Sequence, residues 1–137
     1  MSSFLRRVGT TYIPVTDPEL SSTWYQEKLG AIENFRNDEK AILDLANQSV
    51  FLVKAKEGET SNFIDVNGNP HFAMTFEVDG YDQLNQLRDD LLTKEVNVGE
   101  IEDRGHPGNN FVFYDIDGNA FDVWSELSPT FKEMHGV

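Results

Sequence analysis

Alternation of apolar and polar positions is clearest in residues 111–126, where two runs, Phe111–Tyr114 and Ala120–Glu126, flank Asp117-Gly118. A period of two marks a strand. Asp-Gly between two such runs predicts a hairpin, because glycine readily takes the positive φ that the turn needs. The same alternation sends Ala120, Asp122 and Trp124 to one face and Phe121 and Val123 to the other. A carboxylate, an indole and a small residue on one face suit the lining of a pocket. The alternative is a hairpin with one wet face, on which Asp122 is merely solvated.

The pattern occurs twice along the chain. Val15 overlays Val78 at an offset of 63, which also brings Trp24 onto Leu87 and Leu29 onto Leu92. Farther on, Phe51 overlays Phe121 at an offset of 70, with a longer loop in the second half around Glu102–Asn110. Each half therefore reads strand, helix, three strands. Asp17 caps the first helix, Pro18 suits its first position and Gly30 ends it. Leu20, Trp24 and Leu29 form its expected apolar side. The second helix, 81–93, carries Leu84, Leu87 and Leu91 at core spacing. Residues 57–70 read as a connecting loop that Phe63-Ile64 tacks down. Residues 129–137 read as a short helix or a frayed end.

Parity then assigns faces. Phe72, Met74, Phe76 and Val78 form an apolar side facing a helix, opposite His71, Ala73, Thr75 and Glu77. Ile13 and Val15 face a helix, opposite Thr10, Tyr12 and Pro14. Phe51 and Val53 are expected to point inward, leaving Val50, Leu52 and Lys54 on the other face. A mixed polar and aromatic face recurs in several strands, as in a curled sheet around a cavity.

A chain of 137 residues, 39% hydrophobic and 12% aromatic, suits one folded domain. No apolar run approaches the ~20 residues of a membrane helix, so no membrane partner is expected. The first eight residues lack the apolar core of a signal peptide, which makes the cytoplasm the expected location. The absence of cysteine excludes disulfides, thiolate catalysis and cysteine-built zinc sites. A formal charge of −13 without a basic stripe argues against nucleic acid as a partner. Asp115-Ile-Asp-Gly-Asn imitates part of a calcium loop, but its glycine falls at position four instead of six, and strands flank it.

The paired strand–helix–three-strand modules resemble the vicinal oxygen chelate superfamily of glyoxalases, bleomycin-resistance proteins, fosfomycin-resistance enzymes and extradiol dioxygenases. Val15-Thr-Asp-Pro, Trp24-Tyr25, Leu29-Gly30 and Asp115-Ile-Asp-Gly-Asn carry the likeness. It implies an α+β fold in which two βαβββ modules, about 5–56 and 70–128, form a curled mixed sheet around a cavity. The whole chain, 1–137, is then a single domain. It also implies a homodimer. The family's metal ligands carry over to Thr10, Leu52, Ala73 and Asp122, of which only Asp122 ligates a metal well, so no metal cofactor is expected. A divalent metal in a shifted site involving His71 is the alternative.

The expected ligand pocket is Tyr12, Leu52, His71, Glu77, Asp122 and Trp124, with Asp122 and His71 as the candidates for acid–base work. Tyr12 and Trp124 suit stacking against a flat ligand. Lys54 or a cationic ligand group is the expected charge partner of Asp122. Each has a plainer reading: His71 as a strand-end residue, His106 as a solvated loop residue, the aromatics as cavity filler. The function implied is metal-free binding of a small molecule. The alternative is a metal-dependent lyase, transferase or dioxygenase.

Overall fold

The computed structural model describes residues 4–137; the first three residues of the N-terminal stretch discussed above lie outside the described residues. The chain divides into two compact units, one through Thr60 and one from Ser61.

The first unit runs β1 (Thr10–Val15), α1 (Pro18–Leu29), β2 (Ile32–Arg36), β3 (Lys40–Leu45) and β4 (Gln48–Lys54). The sheet order is β1-β4-β3-β2, with β1 parallel to β4 and the other pairs antiparallel. The caps of α1 are those the sequence predicts. The Asp17 carboxylate accepts from the Glu19 and Leu20 amides, and Gly30 closes the helix at φ 75°. Its buried stripe, however, is Pro18, Ser21, Ser22 and Tyr25, while Leu20 is 59% exposed and Trp24 half-buried. The two serines bring the helix backbone close to the sheet, and Tyr25 supplies the volume. Ser22 Oγ is satisfied by donating to Glu33 Oε1 at 2.9 Å.

The core of this unit corrects the parity assigned to β4. Val50 and Leu52 are 2% and 0% exposed, alongside Ile13, Val15, Ala41 and Leu43. Val53 is exposed and Phe51 lies on the opposite face, its ring 5.2 Å from that of Tyr12. Leu52 is thus a core residue and not a pocket residue. The pairing gives the reason. Ile13 pairs with Leu52, whereas its repeat mate Phe76 pairs with Val123. The last strands of the two modules are therefore 71 residues apart rather than 70. A slip of one residue exchanges the two faces of a strand.

The second unit runs β5 (Phe63–Ile64), β6 (Pro70–His71), β7 (Thr75–Glu77), α2 (Tyr81–Thr93), β8 (Asn97–Val98), β9 (Asn110–Tyr114), β10 (Ala120–Trp124) and α3 (Pro129–His135). Its four-stranded sheet has the order β7-β10-β9-β8, with β7 parallel to β10, and so repeats the topology of the first. Leu84 and Leu91 of α2 are fully buried, as their spacing requires. Phe76 stacks near Phe113 and Phe121, which with Phe111 and Val123 make the core. Two local differences appear. Residues 57–70 contain β5, which pairs with β6 as a small hairpin. The single strand expected over His71–Val78 is broken, because its first part pairs with β5 and its second with β10. Phe72 sits at the break, beneath the Arg104 guanidinium at 5.4 Å, outside the apolar face assigned to it.

Candidate functional site

Asp122 lies in the middle of β10, 2% exposed, on the face away from Phe121 and Val123. Its neighbours on that face come from the paired strands, Thr75 on β7 and Asn110 on β9. Thr75 Oγ1 donates to Asp122 Oδ2 at 3.0 Å, and Asn110 Nδ2 donates to the same oxygen at 2.9 Å. Arg104 Nη1 stands 3.1 Å from Oδ1. A buried carboxylate needs this kind of support, since desolvation disfavours its charge and hydrogen bonds with an adjacent cation restore it. The cation is Arg104; Lys54, offered above for this role, belongs to the first unit.

The loop before β9 brings Arg104 into place. Glu102 and Asn110 form an isolated antiparallel bridge, and the Arg104 Nε–H donates to Glu102 Oε1 at 3.3 Å. Farther along, the loop lies directly on β10. Pro107 carbonyl accepts from Trp124 Nε1 at 2.9 Å, and Asn109 amide donates to Ser125 Oγ at 2.8 Å. Gly108, at φ +80°, is what allows the approach. A Cβ there would stand 2.7 Å from Trp124 Nε1. The loop also sets His106 edge-on to Trp124, ring centroids 6.0 Å apart.

These side chains line a hollow of about 710 Å³, within the size range of small-molecule sites. Thr75, Arg104, Asn110, Asp122 and Trp124 form part of its wall, and Leu127, Pro129 and Lys132 another part. Glu77 also lines it, but its carboxylate is engaged. Glu77 accepts from both the amide and the hydroxyl of Ser128, the residue that opens α3, and so secures the tail as a helix.

His71 lines a second hollow of about 330 Å³, with Phe72, Glu102, Arg104 and Val112 among its neighbours. Its Nδ1 lies 2.6 Å from the Phe72 carbonyl oxygen, and its ring stacks on Phe63 at 5.0 Å. A carbonyl only accepts, so Nδ1 is the donor of this pair. Arg104 lines both hollows. Among the residues expected to form one pocket, Glu77, Asp122 and Trp124 share a hollow, whereas His71 lines the neighbouring one. Tyr12 is 64% exposed in the first unit, and Leu52 is buried there.

Thr75, Arg104 and Asn110 were not singled out as site residues by the sequence pattern. Thr75 shares the parity of Glu77, which is a usable signal. Arg104 and Asn110 sit in or beside an irregular loop, where no periodicity indicates direction.

Of the carried-over metal positions, Asp122 alone bears a strong ligand. Thr10, Ala73 and Phe51 (which takes the face first given to Leu52) are poor or impossible ligands, and Asp122 is already held by two donors and a guanidinium. Among the described residues, no three His, Cys, Asp or Glu side chains gather as a metal centre. The Asp115-Ile-Asp-Gly-Asn segment is a turn built on itself. Asp115 Oδ1 accepts from the Asp117 and Asn119 amides, and Asp115 Oδ2 accepts from Asn119 Nδ2. Asn119 Oδ1 accepts from the Ser61 amide at 2.7 Å. Among the described residues no helix is long and apolar enough to cross a membrane.

Comparison with solved structures gives the same architecture repeatedly. Lactoylglutathione lyase from Agrobacterium tumefaciens aligns with a TM-score of 0.70 at 13% identity, over 89% of this chain and 95% of that one. The fosfomycin resistance protein FosX from Listeria monocytogenes aligns with a TM-score of 0.73 at 12% identity, over 93% and 98%. A glyoxylase/bleomycin resistance protein/dioxygenase domain from Frankia sp. EAN1pec aligns with a TM-score of 0.70 at 23% identity, over 90% and 99%. At these identities the likeness establishes the fold alone. Among curated proteins, no sequence match is found. The model of one family matches residues 7–123, and the chain belongs to that family, the Glyoxalase/Bleomycin resistance protein/Dioxygenase superfamily.

Proposed function

We propose that this protein binds a small, planar molecule in the hollow over β7, β9 and β10, without a metal, as a binding module and not a metal enzyme. The observation that carries the reading is the Asp122 cluster. A carboxylate 2% exposed, anchored by Thr75 and Asn110 and paired with Arg104, is a fixed polar floor beneath the half-buried indole of Trp124. Apolar walls with a few placed polar groups are what small-molecule recognition needs. Trp124 is held by its bond to Pro107, so its ring offers a stacking surface with little ordering cost.

Within this reading Asp122 positions Arg104 and orients the floor. The proposal extends to a homodimer and a cytoplasmic location, both of which rest on the family likeness and on the sequence. The metal-dependent alternative draws on relatives such as FosX, one structure of which contains Mn(II) and sulfate. In this chain the donor set around Asp122 favours the metal-free reading.

A thermal-shift screen with divalent metals and small aromatic compounds tests the proposal, because a ligand that binds the native state alone raises its stability. Aromatic compounds should raise the melting temperature of the wild type, and Trp124→Ala should lose that response. Stoichiometric zinc, nickel, iron or manganese that survives dialysis and is lost on Asp122→Asn would overturn the metal-free reading.

A further inference from the structure

We infer that the ligand of this hollow is uncharged and carries a carbonyl oxygen that accepts from Arg104; this deepens the binding reading above and rests on it. A guanidinium has five N–H donors in a planar fork. In Arg104 the Nε–H serves Glu102 and Nη1 faces Asp122. Among the described residues its other N–H groups have no protein acceptor. One face of the fork lies over the Phe72 ring. The side chain keeps 25% of its surface exposed and borders both hollows, so the spare donors are accessible. Beside it, Asn110 Oδ1 and Asp122 Oδ1 are buried acceptors without a hydrogen bond. The Asn110 amide nitrogen is used on Asp122, and Asp122 Oδ1 is ion-paired with Arg104. The floor therefore has donors to give and acceptors to satisfy, and a carboxamide, which accepts through its oxygen and donates through its nitrogen, answers both.

Charge selects a neutral group. Arg104 already stands between the carboxylates of Glu102 and Asp122, and Glu77 and Glu126 also line the larger hollow; Lys132 is the other cation of its wall, so carboxylates outnumber cations there. An anion on the fork would face this excess of negative charge. A cation is drawn by the surrounding carboxylates, but it cannot accept from Arg104 and against the guanidinium itself it is repelled. A neutral carbonyl avoids both penalties and keeps the charge-assisted hydrogen bond.

Three probes with one ring and different charge test this: benzamide, benzoate and benzamidine, titrated into the full chain and followed by the Trp124 indole and Arg104 guanidinium N–H signals in NMR. Benzamide should bind about fivefold more tightly than either charged probe, the gain expected of one well-placed hydrogen bond. Arg104→Met should remove that preference. Equal or tighter binding of benzoate or benzamidine, with the Trp124 signal moving, overturns this inference and leaves the binding site standing. If no probe moves either signal, the inference and the site reading both fall. If Arg104→Met does not fold, the wild-type titration decides: benzamide that shifts the indole but leaves the guanidinium signals in place overturns the inference.

Discussion

Arg104 Nη1 lies 3.1 Å from Asp122 Oδ1, joining a side chain that is 25% exposed to one that is 3% exposed. The pair ties an irregular loop to the central strand of the second sheet, and its two ends are unequal. Arg104 retains contact with water, whereas Asp122 has Thr75, Asn110 and Arg104 in place of solvent. Arg104→Met should therefore destabilise the protein by about 2 kcal/mol, below the range for fully buried pairs because the arginine is partly solvated. Asp122→Asn, which keeps an acceptor for Thr75, should cost about 1 kcal/mol. The double variant should recover part of the sum, and urea unfolding of all four proteins reads the coupling. Strict additivity would mean that the pair does not form in solution.

Leu52→Ala and Phe51→Ala separate the two faces of β4. Leu52 is completely buried, so its truncation should cost about 3 kcal/mol. Phe51 lies on the other face against the exposed Tyr12 and should cost about 1 kcal/mol. Chemical denaturation measures both, and the reverse order would restore the parity first expected from the sequence.

Gly108→Ala places a methyl group 2.7 Å from both Trp124 Nε1 and Glu126 Cγ, at a φ of +80°. Backbone strain and the clash together should cost about 2–3 kcal/mol. The loop should lift from β10 and break the Trp124–Pro107 hydrogen bond. A change in the emission of Trp124, measured in a Trp24→Phe background, would report it. An unchanged spectrum and unchanged stability would show that the loop does not lie on β10.

Asp115→Ala removes the acceptor for two backbone amides and the Asn119 side chain. A loss of about 2 kcal/mol is expected, with amide exchange accelerating first in 115–120. Calcium should not raise the melting temperature of the wild type, because both oxygens of this carboxylate already accept hydrogen bonds within the turn. A calcium-dependent rise would revive the calcium-loop reading set aside on spacing.

Much of this architecture is local and therefore legible in the chain. Asp17, Pro18 and Gly30 bound the first helix through their own backbone chemistry, and Gly118 at φ 85° turns the last hairpin. Leu84 and Leu91 name their buried face by spacing, and the strand–helix–three-strand repeat gives both sheets. What tertiary structure alone decided is register and partnership. The offset between the last strands is set by which residues pair across the sheet. Its value of 71 in place of 70 moved Leu52 into the core and Phe51 beside Tyr12. The same holds for the site: parity brings Asp122 and Trp124 to one face, but nothing periodic in Glu102–Asn109 indicates that Arg104 reaches Asp122. That contact exists because a buried carboxylate needs a counter-charge, and the folded loop, seated on β10 through Gly108, delivers one.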